Sequence, residues 1–205
     1  MPQSNTAQVF VPGHITGLFT VHRTDDPETT GSRGAGLTLS KGAEVTVQRT
    51  DSGSRSVNGD PTTVDAVEAV LGTLGVDPTV EVETDLPLGA GFGLSGSMAL
   101  GTAFGANLVY DLGYTENELI RLAHVADVEA GTGLGDVVAA ARGGVPIRLE
   151  PGAPPHGSLD GIPETARIEY CSFGGLSTPA VLEERPGRIS EAGERGLDAL
   201  MDRPT

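Results

Sequence analysis

Alternating apolar and polar residues predict short strands in the first half of the chain. Four segments carry this pattern: residues 7–11, 16–23, 43–49 and 79–84. Between them, the glycine-rich residues 31–36 predict a turn, and the Ser-, Gly- and Asp-rich residues 51–60 predict a loop. We therefore expect a half-buried sheet in this part of the protein.

Helical periodicity begins after residue 61. Val64, Val67 and Leu71 fall on one face of a predicted helix over 62–74. Further helices are predicted over 97–111, from a Thr115–Glu118 capping box to residue 127, from residue 136 onward, and over 190–201. Strands are predicted over 145–149 and 166–173, and a loop over 151–163. This order predicts an α+β fold rather than regular βαβ alternation.

Composition narrows the class of protein. The 205 residues suffice for one compact domain, or for one domain and part of a second. With 28 acidic and 13 basic residues, the net charge of −15 excludes a nucleic-acid binder that needs a basic surface. Lys41 is the single lysine, and such an acidic, lysine-poor composition is typical of proteins of high-salt organisms.

No signal peptide or membrane-spanning run is visible, so we expect a soluble cytoplasmic protein. Cys171, the single cysteine, is expected to be inert in a strand.

A glycine-rich loop over 85–97 is the strongest chemical signal. Its glycines precede a predicted helix, where free backbone N–H groups and the positive end of the helix dipole can bind phosphate. Ser95 and Ser97 lie at the start of that helix, where a hydroxyl can cap the helix or reach a metal ion. The loop therefore predicts a nucleotide-phosphate site.

Two other phosphate motifs compete for the same loop. The dinucleotide pattern G-x-G-x-x-G fits residues 91–96, but the following helix leads into another helix instead of a parallel strand. A P-loop needs a lysine at its end, and Lys41 is far away in the sequence. Both motifs are therefore rejected.

A second group of polar residues surrounds the glycines at 131–135. His124 and Asp127 share one face of a predicted helix, and Asp136 follows the glycines. One carboxylate can hold magnesium while the other receives or orients a hydroxyl proton. Simpler roles stay open: Asp127 can be solvated, Asp136 can be a helix N-cap, and His14, after the first predicted strand, can be a surface residue.

These segments together resemble the GHMP kinase superfamily, which includes galactokinase, homoserine kinase and mevalonate kinase. Residues 87–95 are similar to the family's glycine loop Pro-x-Gly-x-Gly-Leu-Gly-Ser-Ser, with Leu94 where the first serine is expected. Pro12-Gly-His14 is similar to the family's Pro-Gly-Lys, with histidine replacing lysine. That replacement, together with residues 124–127 and 132–136, resembles the archaeal pantoate kinase branch of the superfamily.

The resemblance implies ATP and Mg²⁺ as cofactors and pantoate as the small-molecule substrate, phosphorylated in archaeal coenzyme A synthesis. Asp136 would be the catalytic base. Either Ser95 or Ser97 would hold magnesium with Asp127, and Glu129 is the alternative carboxylate ligand. Arg148 can bind a carboxylate with two N–H groups. The full implied sets are Pro87, Gly89, Ala90, Gly91, Phe92, Gly93, Ser95 and Ser97 for the nucleotide, and His14, Ser32, His124, Arg148 and Thr178 for pantoate.

The resemblance also implies a domain organisation. Residues 1–150 would form the GHMP kinase N-terminal ATP-binding domain, with the ribosomal protein S5 domain 2-like fold, and residues 151–205 would begin an incomplete C-terminal α/β domain. Dimers are common in the family, so the resemblance allows a homodimer. Two alternatives stay open: another GHMP kinase of the homoserine or mevalonate-pathway type, and a truncated nucleotide-binding remnant without turnover.

Overall fold

The protein has a mixed seven-stranded sheet covered by helices. The computed structural model describes residues 4–50, 52–171 and 186–202. The predicted α+β fold is confirmed. The elements in chain order are β1 (Thr6–His22), β2 (Gly31–Gln48), β3 (Arg55–Val57), β4 (Asp60–Pro61), α1 (Asp65–Leu74), β5 (Thr79–Glu83), α2 (Leu94–Tyr110), α3 (Glu116–Glu129), α4 (Asp136–Arg142), β6 (Val145–Glu150), β7 (Ser158–Ile162) and α5 (Pro186–Asp202).

β2 is the central strand of the sheet. The strand order is β4-β3-β5-β2-β6-β7, and β1 pairs antiparallel with β2. One half of β2 pairs with β5 and the other half with β6, both antiparallel. Because β2 contacts three strands, residues far apart in the sequence meet along its length.

β1 and β2 are longer than the sequence pattern predicted. The two strands predicted at 7–11 and 16–23 form one strand with two register irregularities, and the turn predicted at 31–36 is strand. A side chain at Gly34 would collide with the backbone of β1, and one at Gly36 would collide with the His14 ring. The glycines that suggested a turn instead allow a close approach of two strands.

Three other predictions were wrong. The loop predicted at 51–60 contains the short hairpin β3–β4, and the loop predicted at 151–163 contains β7, which pairs with β6. No strand is present over residues 166–171 of the strand predicted at 166–173, and Cys171 is exposed. Strand pairing, rather than local composition, decides these three segments.

Small residues on α2 allow it to pack tightly on the sheet. A Cβ at Gly101 would lie 2.6 Å from Val45 Cγ2, and one at Gly105 would lie 2.5 Å from Val47 Cγ2. Val45 and Val47 are fully buried there, and burying such a side chain contributes about 1.5–3 kcal/mol. This contact fixes the middle of α2 relative to β1 and β2.

The remaining helices complete the fold around that contact. The predicted capping box is present at the start of α3, where the Thr115 N–H donates to Glu118 Oε2 at 2.8 Å. α5 packs on the sheet through the buried Leu197, and the Val21 N–H donates to Ser190 Oγ at 3.1 Å. Across the described ranges, each helix is too short or too polar to cross a membrane.

Candidate active site

The loop between β5 and α2 has the backbone of a phosphate-binding loop. Gly89, Gly91 and Gly93 have φ angles of 70°, 82° and 62°. A Cβ at Gly89 or Gly91 would meet nothing within 4 Å, so the backbone conformation, not lack of space, favours glycine there. The carbonyl of the buried Phe92 accepts the His14 N–H at 2.9 Å, which fastens the loop to β1.

This loop and the N-terminus of α2 line a cleft of about 430 Å³. Of the residues predicted to bind nucleotide, Ala90 packs against the hydrophobic core instead of lining the cleft. The described residues that line the cleft include no lysine, arginine or histidine, so backbone N–H groups and a bound cation would have to offset the charge of a polyphosphate. They are Thr63, Val64, Asp65, Pro87, Leu88, Gly89, Gly91, Phe92, Gly93, Leu94, Ser95, Gly96, Met98, Asp127, Thr132 and Asp136.

The two candidate serines have different environments because α2 begins at Leu94, earlier than predicted. Ser97 is fully buried, and its hydroxyl lies 2.9 Å from the Pro12 carbonyl and 3.1 Å from the Gly93 carbonyl, to which it donates. Ser95 lines the cleft, and its Oγ lies 3.0 Å from Thr132 Oγ1. Ser95 is therefore the serine that can reach a ligand in the cleft.

Asp127 is buried at the C-terminal part of α3, with only 2% of its surface exposed. Burial, assisted by the negative charge of Asp136, raises the pKa of Asp127 to about 7, although the neighbouring hydroxyl groups of Thr132 and Ser95 oppose the shift. Thr132 Oγ1 lies 2.6 Å from Asp127 Oδ1. A buried carboxyl of this kind gains most from a cation, which can take the place of its proton.

Asp136 is the first residue of α4 and contacts a histidine 122 positions earlier in the chain. His14 Nδ1 lies 2.7 Å from Asp136 Oδ1. Burial raises the pKa of Asp136, but the hydrogen bond and charge of His14, with the charge of Arg148, outweigh it and hold the pKa below its ordinary value. Asp136 is therefore an ionised hydrogen-bond acceptor at neutral pH.

His14 lies within β1, not in the loop that the sequence predicted after a shorter strand. Its ring is fully buried, and its Nε2 atom has no hydrogen-bond partner among the described residues. The ring thus offers one nitrogen to Asp136 and leaves the other unused.

Arg148 and Ser32 form a second polar pair beside Asp136. Arg148, on β6, is 2% exposed, and its Nε donates to Ser32 Oγ of β2 at 3.2 Å. Its Nη1 atom is buried without a hydrogen-bond partner among the described residues. A Cβ at Gly135 would lie 2.9 Å from Arg148 Nε, so glycine is needed for the α3–α4 loop to pass this pair. An unpaired buried donor costs about 1–3 kcal/mol, which favours a missing anionic partner.

The other predicted pantoate-binding residues have a different bonding partner or lie outside the described ranges. His124 Nε2 donates to the Thr30 carbonyl at 2.9 Å, so its ring joins α3 to the residue before β2. Burial lowers the pKa of His124. Glu129, the alternative metal ligand, is exposed and does not line the cleft with Asp127. Thr178 lies outside the described residues.

Thr132 is a residue of the site that the sequence analysis did not single out. It lines the cleft and contacts both Ser95 and Asp127. Its signal was its place in the segment Thr-Gly-Leu-Gly-Asp at 132–136, where it is the hydroxyl-bearing residue among the glycines.

The oxygen atoms of Ser95 and Asp127 fit a magnesium ion that is shared with a nucleotide. Magnesium prefers oxygen ligands, and in nucleotide sites it is held by one or two carboxylates, phosphate oxygens and water. No cluster of three or more His, Cys, Asp or Glu side chains suited to a metal occurs within the described ranges. The donor set therefore suits a cation that arrives with phosphate, rather than one enclosed by protein.

Comparison with known sequences identifies relatives that cover nearly the whole chain. The family model described as "GHMP kinases N terminal domain" matches residues 61–144. The pantoate kinase of Methanocaldococcus jannaschii is 35% identical over 204 residues, covering 96% of this chain and 74% of that protein. The pantoate kinase of Thermococcus kodakarensis is 35% identical over 214 residues, covering 96% of this chain and 70% of the relative.

Solved structures give a consistent result. A protein titled "Phosphotransferase related to CoA biosynthesis pathway" superposes with a TM-score of 0.79 at 30% identity, covering 98% of this chain and 70% of its own. Mevalonate diphosphate decarboxylase from Staphylococcus aureus superposes with a TM-score of 0.59 over 97% of this chain and 65% of its own, at 15% identity. At that identity, the second similarity concerns the fold alone.

Proposed function

The chain belongs to the GHMP kinase family, and from that premise we propose that it transfers the γ-phosphoryl group of ATP to a hydroxyl of pantoate. The observation that carries the choice of substrate is the buried Arg148 guanidinium, whose Nη1 has no hydrogen-bond partner among the described residues although the carboxylate of Asp136 is nearby. Pantoate has a carboxylate at one end and a hydroxyl at the other. A site with one free guanidinium donor and one ionised acceptor complements both ends.

The nucleotide side of the site consists mainly of backbone. In the proposal, the N–H groups of the glycine loop and of the first turn of α2 bind the phosphates. Ser95 and Asp127 would hold magnesium, which would supply positive charge to the phosphates. The lack of basic side chains among the described residues that line the cleft supports this assignment of the phosphates to backbone groups and a cation.

The acceptor side of the site uses three buried side chains. Arg148 and Ser32 bind the carboxylate of pantoate, because the guanidinium is already held by the serine hydroxyl and keeps further N–H groups unused. His14 Nε2, which has no hydrogen-bond partner within the described ranges, is a second contact for the substrate. These contacts would replace the missing hydrogen bonds of the free protein.

Asp136 orients the attacking hydroxyl and accepts its proton. The hydroxyl oxygen forms a bond to the γ-phosphorus, the bond from that phosphorus to the β–γ bridging oxygen breaks, and the proton passes to the Asp136 carboxylate. The products are 4-phosphopantoate and ADP. A carboxylate with a lowered pKa is a weak base, which is sufficient because a loose transition state develops little bonding to the attacking oxygen and releases its proton late.

A kinase assay of this chain with ATP and magnesium against a panel of hydroxy compounds tests the proposal. We expect pantoate to be phosphorylated in preference to homoserine, mevalonate and shikimate, with Arg148→Lys raising the KM for pantoate more than the KM for ATP. Preference for another acceptor would change the substrate while leaving the family unchanged. Nucleotide binding without turnover of any acceptor would support a remnant instead of an enzyme.

Further expectations accompany the proposal. The net charge of −15 supports activity and stability in concentrated KCl, as in the cytoplasm of a high-salt organism. A homodimer and a C-terminal domain that begins at residue 151 remain predictions. Sedimentation of the purified chain in molar KCl would measure the first of these.

A further inference from the structure

Thr132 connects the two side chains that are proposed to hold magnesium. Its Oγ1 atom lies 2.6 Å from Asp127 Oδ1 and 3.0 Å from Ser95 Oγ. The three residues come from three different segments: α2, α3 and the loop between α3 and α4. One hydroxyl therefore sets the relative position of two oxygen ligands that the backbone does not join directly.

The direction of these hydrogen bonds follows from the number of protons. A cation bound at the site requires Asp127 to be ionised, and an ionised carboxylate only accepts, so in that state the Thr132 hydroxyl donates its single proton to Asp127. The Thr132 oxygen then accepts the proton of the Ser95 hydroxyl. In this arrangement, the lone pairs of Ser95 Oγ are left for another partner, as a magnesium ligand requires.

The backbone around Thr132 is shaped to keep the hydroxyl in this place. The Thr132 N–H donates to the Asp127 carbonyl at 3.1 Å, and the preceding Gly131 has a φ of 70°. A side chain at the following Gly133 would collide with the Asp127 carboxylate. Thr132 itself is exposed, so little packing depends on its methyl group.

We propose that Thr132 is a positioning residue for the bound cation, acting through Ser95 and Asp127 without contacting the reacting atoms. The inference rests on the proposed kinase function. Loss of the hydroxyl would free Ser95 to rotate and leave Asp127 with one partner fewer. Substitution of such supporting hydrogen-bond partners typically weakens metal binding about 10–100-fold.

The test uses Thr132→Val, which removes the hydroxyl at equal size, and Thr132→Ser, which keeps it. Binding of Mn²⁺ in the presence of ADP, followed by electron paramagnetic resonance, gives a readout independent of turnover. We expect Thr132→Val to weaken Mn²⁺ binding at least about 10-fold and to raise the Mg²⁺ concentration that half-saturates the kinase reaction. Thr132→Ser is expected to restore both values to near those of the wild-type protein.

Thr73→Val is the matched control, because Thr73 is an exposed threonine on α1 whose hydroxyl bonds to the Ala69 carbonyl. It should leave Mn²⁺ binding unchanged. Equal Mn²⁺ affinity in Thr132→Val and the wild-type protein would overturn the role of Thr132. A wild-type protein that binds no Mn²⁺ with ADP would instead contradict the proposed function, so the two failures are distinguishable.

Discussion

Asp127 and Asp136 lie on either side of Gly133, yet their surroundings have opposite effects on the two carboxyl groups. A Cβ at Gly133 would touch Asp127 and would lie 3.1 Å from Asp136 Oδ2. Asp127 is enclosed between helices with hydroxyl partners, and its pKa rises to about 7. Asp136 faces His14 and Arg148, and its pKa falls. Neighbouring carboxyl groups whose pKa values are pushed apart are suited to different tasks.

The difference explains how one short loop can serve both metal binding and proton transfer. A carboxyl that ionises reluctantly gains most when a cation binds, whereas a carboxylate with cationic neighbours is already charged and can orient a hydroxyl. Most of the following experiments change Asp127 or Asp136 and measure whether the two carboxyl groups have the separate roles described. One changes exposed glutamates elsewhere on the sheet, for comparison.

The largest effect is expected from Asp136→Asn. The amide keeps the shape of the side chain but cannot accept a proton, so turnover should fall about 100-fold or more. Nucleotide affinity should change little, because Ser95 and Asp127 remain. Steady-state kinetics combined with ADP titration measures both quantities. A near wild-type rate would show that Asp136 has only a structural role, as the first residue of α4.

Asp127→Asn should have a smaller effect of a different kind. A neutral amide is a poorer ligand than a carboxylate for a hard cation, so magnesium-dependent ATP binding should weaken by about 10-fold or more. Calorimetric titration of ATP with and without Mg²⁺ separates this effect from metal-free binding. Equal losses of affinity with and without magnesium would contradict the assignment of Asp127 to the metal.

The stability of the metal-free protein should also depend on Asp127. The pKa of Asp127 is about 7 in the folded protein and 3.8 in the unfolded chain. Its contribution to the free energy of unfolding is therefore fully present below pH 3.8 and is lost as the pH rises toward 7. The loss is at most about 1.4 kcal/mol per pH unit. His124, whose pKa is lowered, acts in the opposite sense below pH 6.5, and Asp136 loses its contribution only at lower pH.

The difference between the wild-type protein and Asp127→Asn isolates this term. Urea unfolding at several pH values from 4 to 8 measures the free energy of unfolding of both proteins. As the pH rises, the wild-type protein should lose stability relative to Asp127→Asn. The His124 contribution is present in both proteins and cancels. A difference in stability that is independent of pH would contradict a raised pKa for Asp127.

The smallest effect is expected from exposed carboxylates on the sheet, which lie outside the candidate site and change only the stability of the protein. Glu44 of β2 lies directly opposite Glu83 of β5, and Glu81 is exposed two residues further along β5. Like charges in this arrangement destabilise a sheet by about 0.2–1 kcal/mol, and salt screens them as the Debye length falls from about 10 Å at 0.1 M to about 3 Å at 1 M. The melting temperature should therefore rise between 0.1 M and 3 M KCl.

Glu83→Gln should flatten this salt dependence, whereas Glu150→Gln on β6 serves as the control. Differential scanning calorimetry of the three proteins compares them. A melting temperature that does not respond to KCl would count against adaptation to high salt. It would leave the comparison of Asp127 with Asp136 unaffected.

Local sequence was sufficient where the signal itself is local. The Thr115–Glu118 capping box predicted the start of α3, and the apolar face of 62–74 predicted α1 within three residues. The glycines at 31–36 misled because a turn and a close approach of two strands both favour glycine. Only the pairing with β1 shows which of the two applies.

Long-range contacts account for what the sequence could not give at the site. The His14–Asp136 hydrogen bond joins residues 122 positions apart, and no periodic pattern encodes it. The choice between Ser95 and Ser97 depended on where α2 begins, because a helix that starts at Leu94 buries the second serine against β1. Thr132 was visible in its motif, but its role follows only from its contacts.

Carboxyl carbon NMR of the metal-free protein labelled at aspartate tests the central comparison most directly. Spectra of Asp127→Asn and Asp136→Asn assign the two resonances, and a pH titration of the wild-type protein then gives both midpoints. We predict that Asp127 titrates near pH 7 and Asp136 below the ordinary value of 3.8. Midpoints that coincide near 3.8, or that occur in the reverse order, would contradict the account.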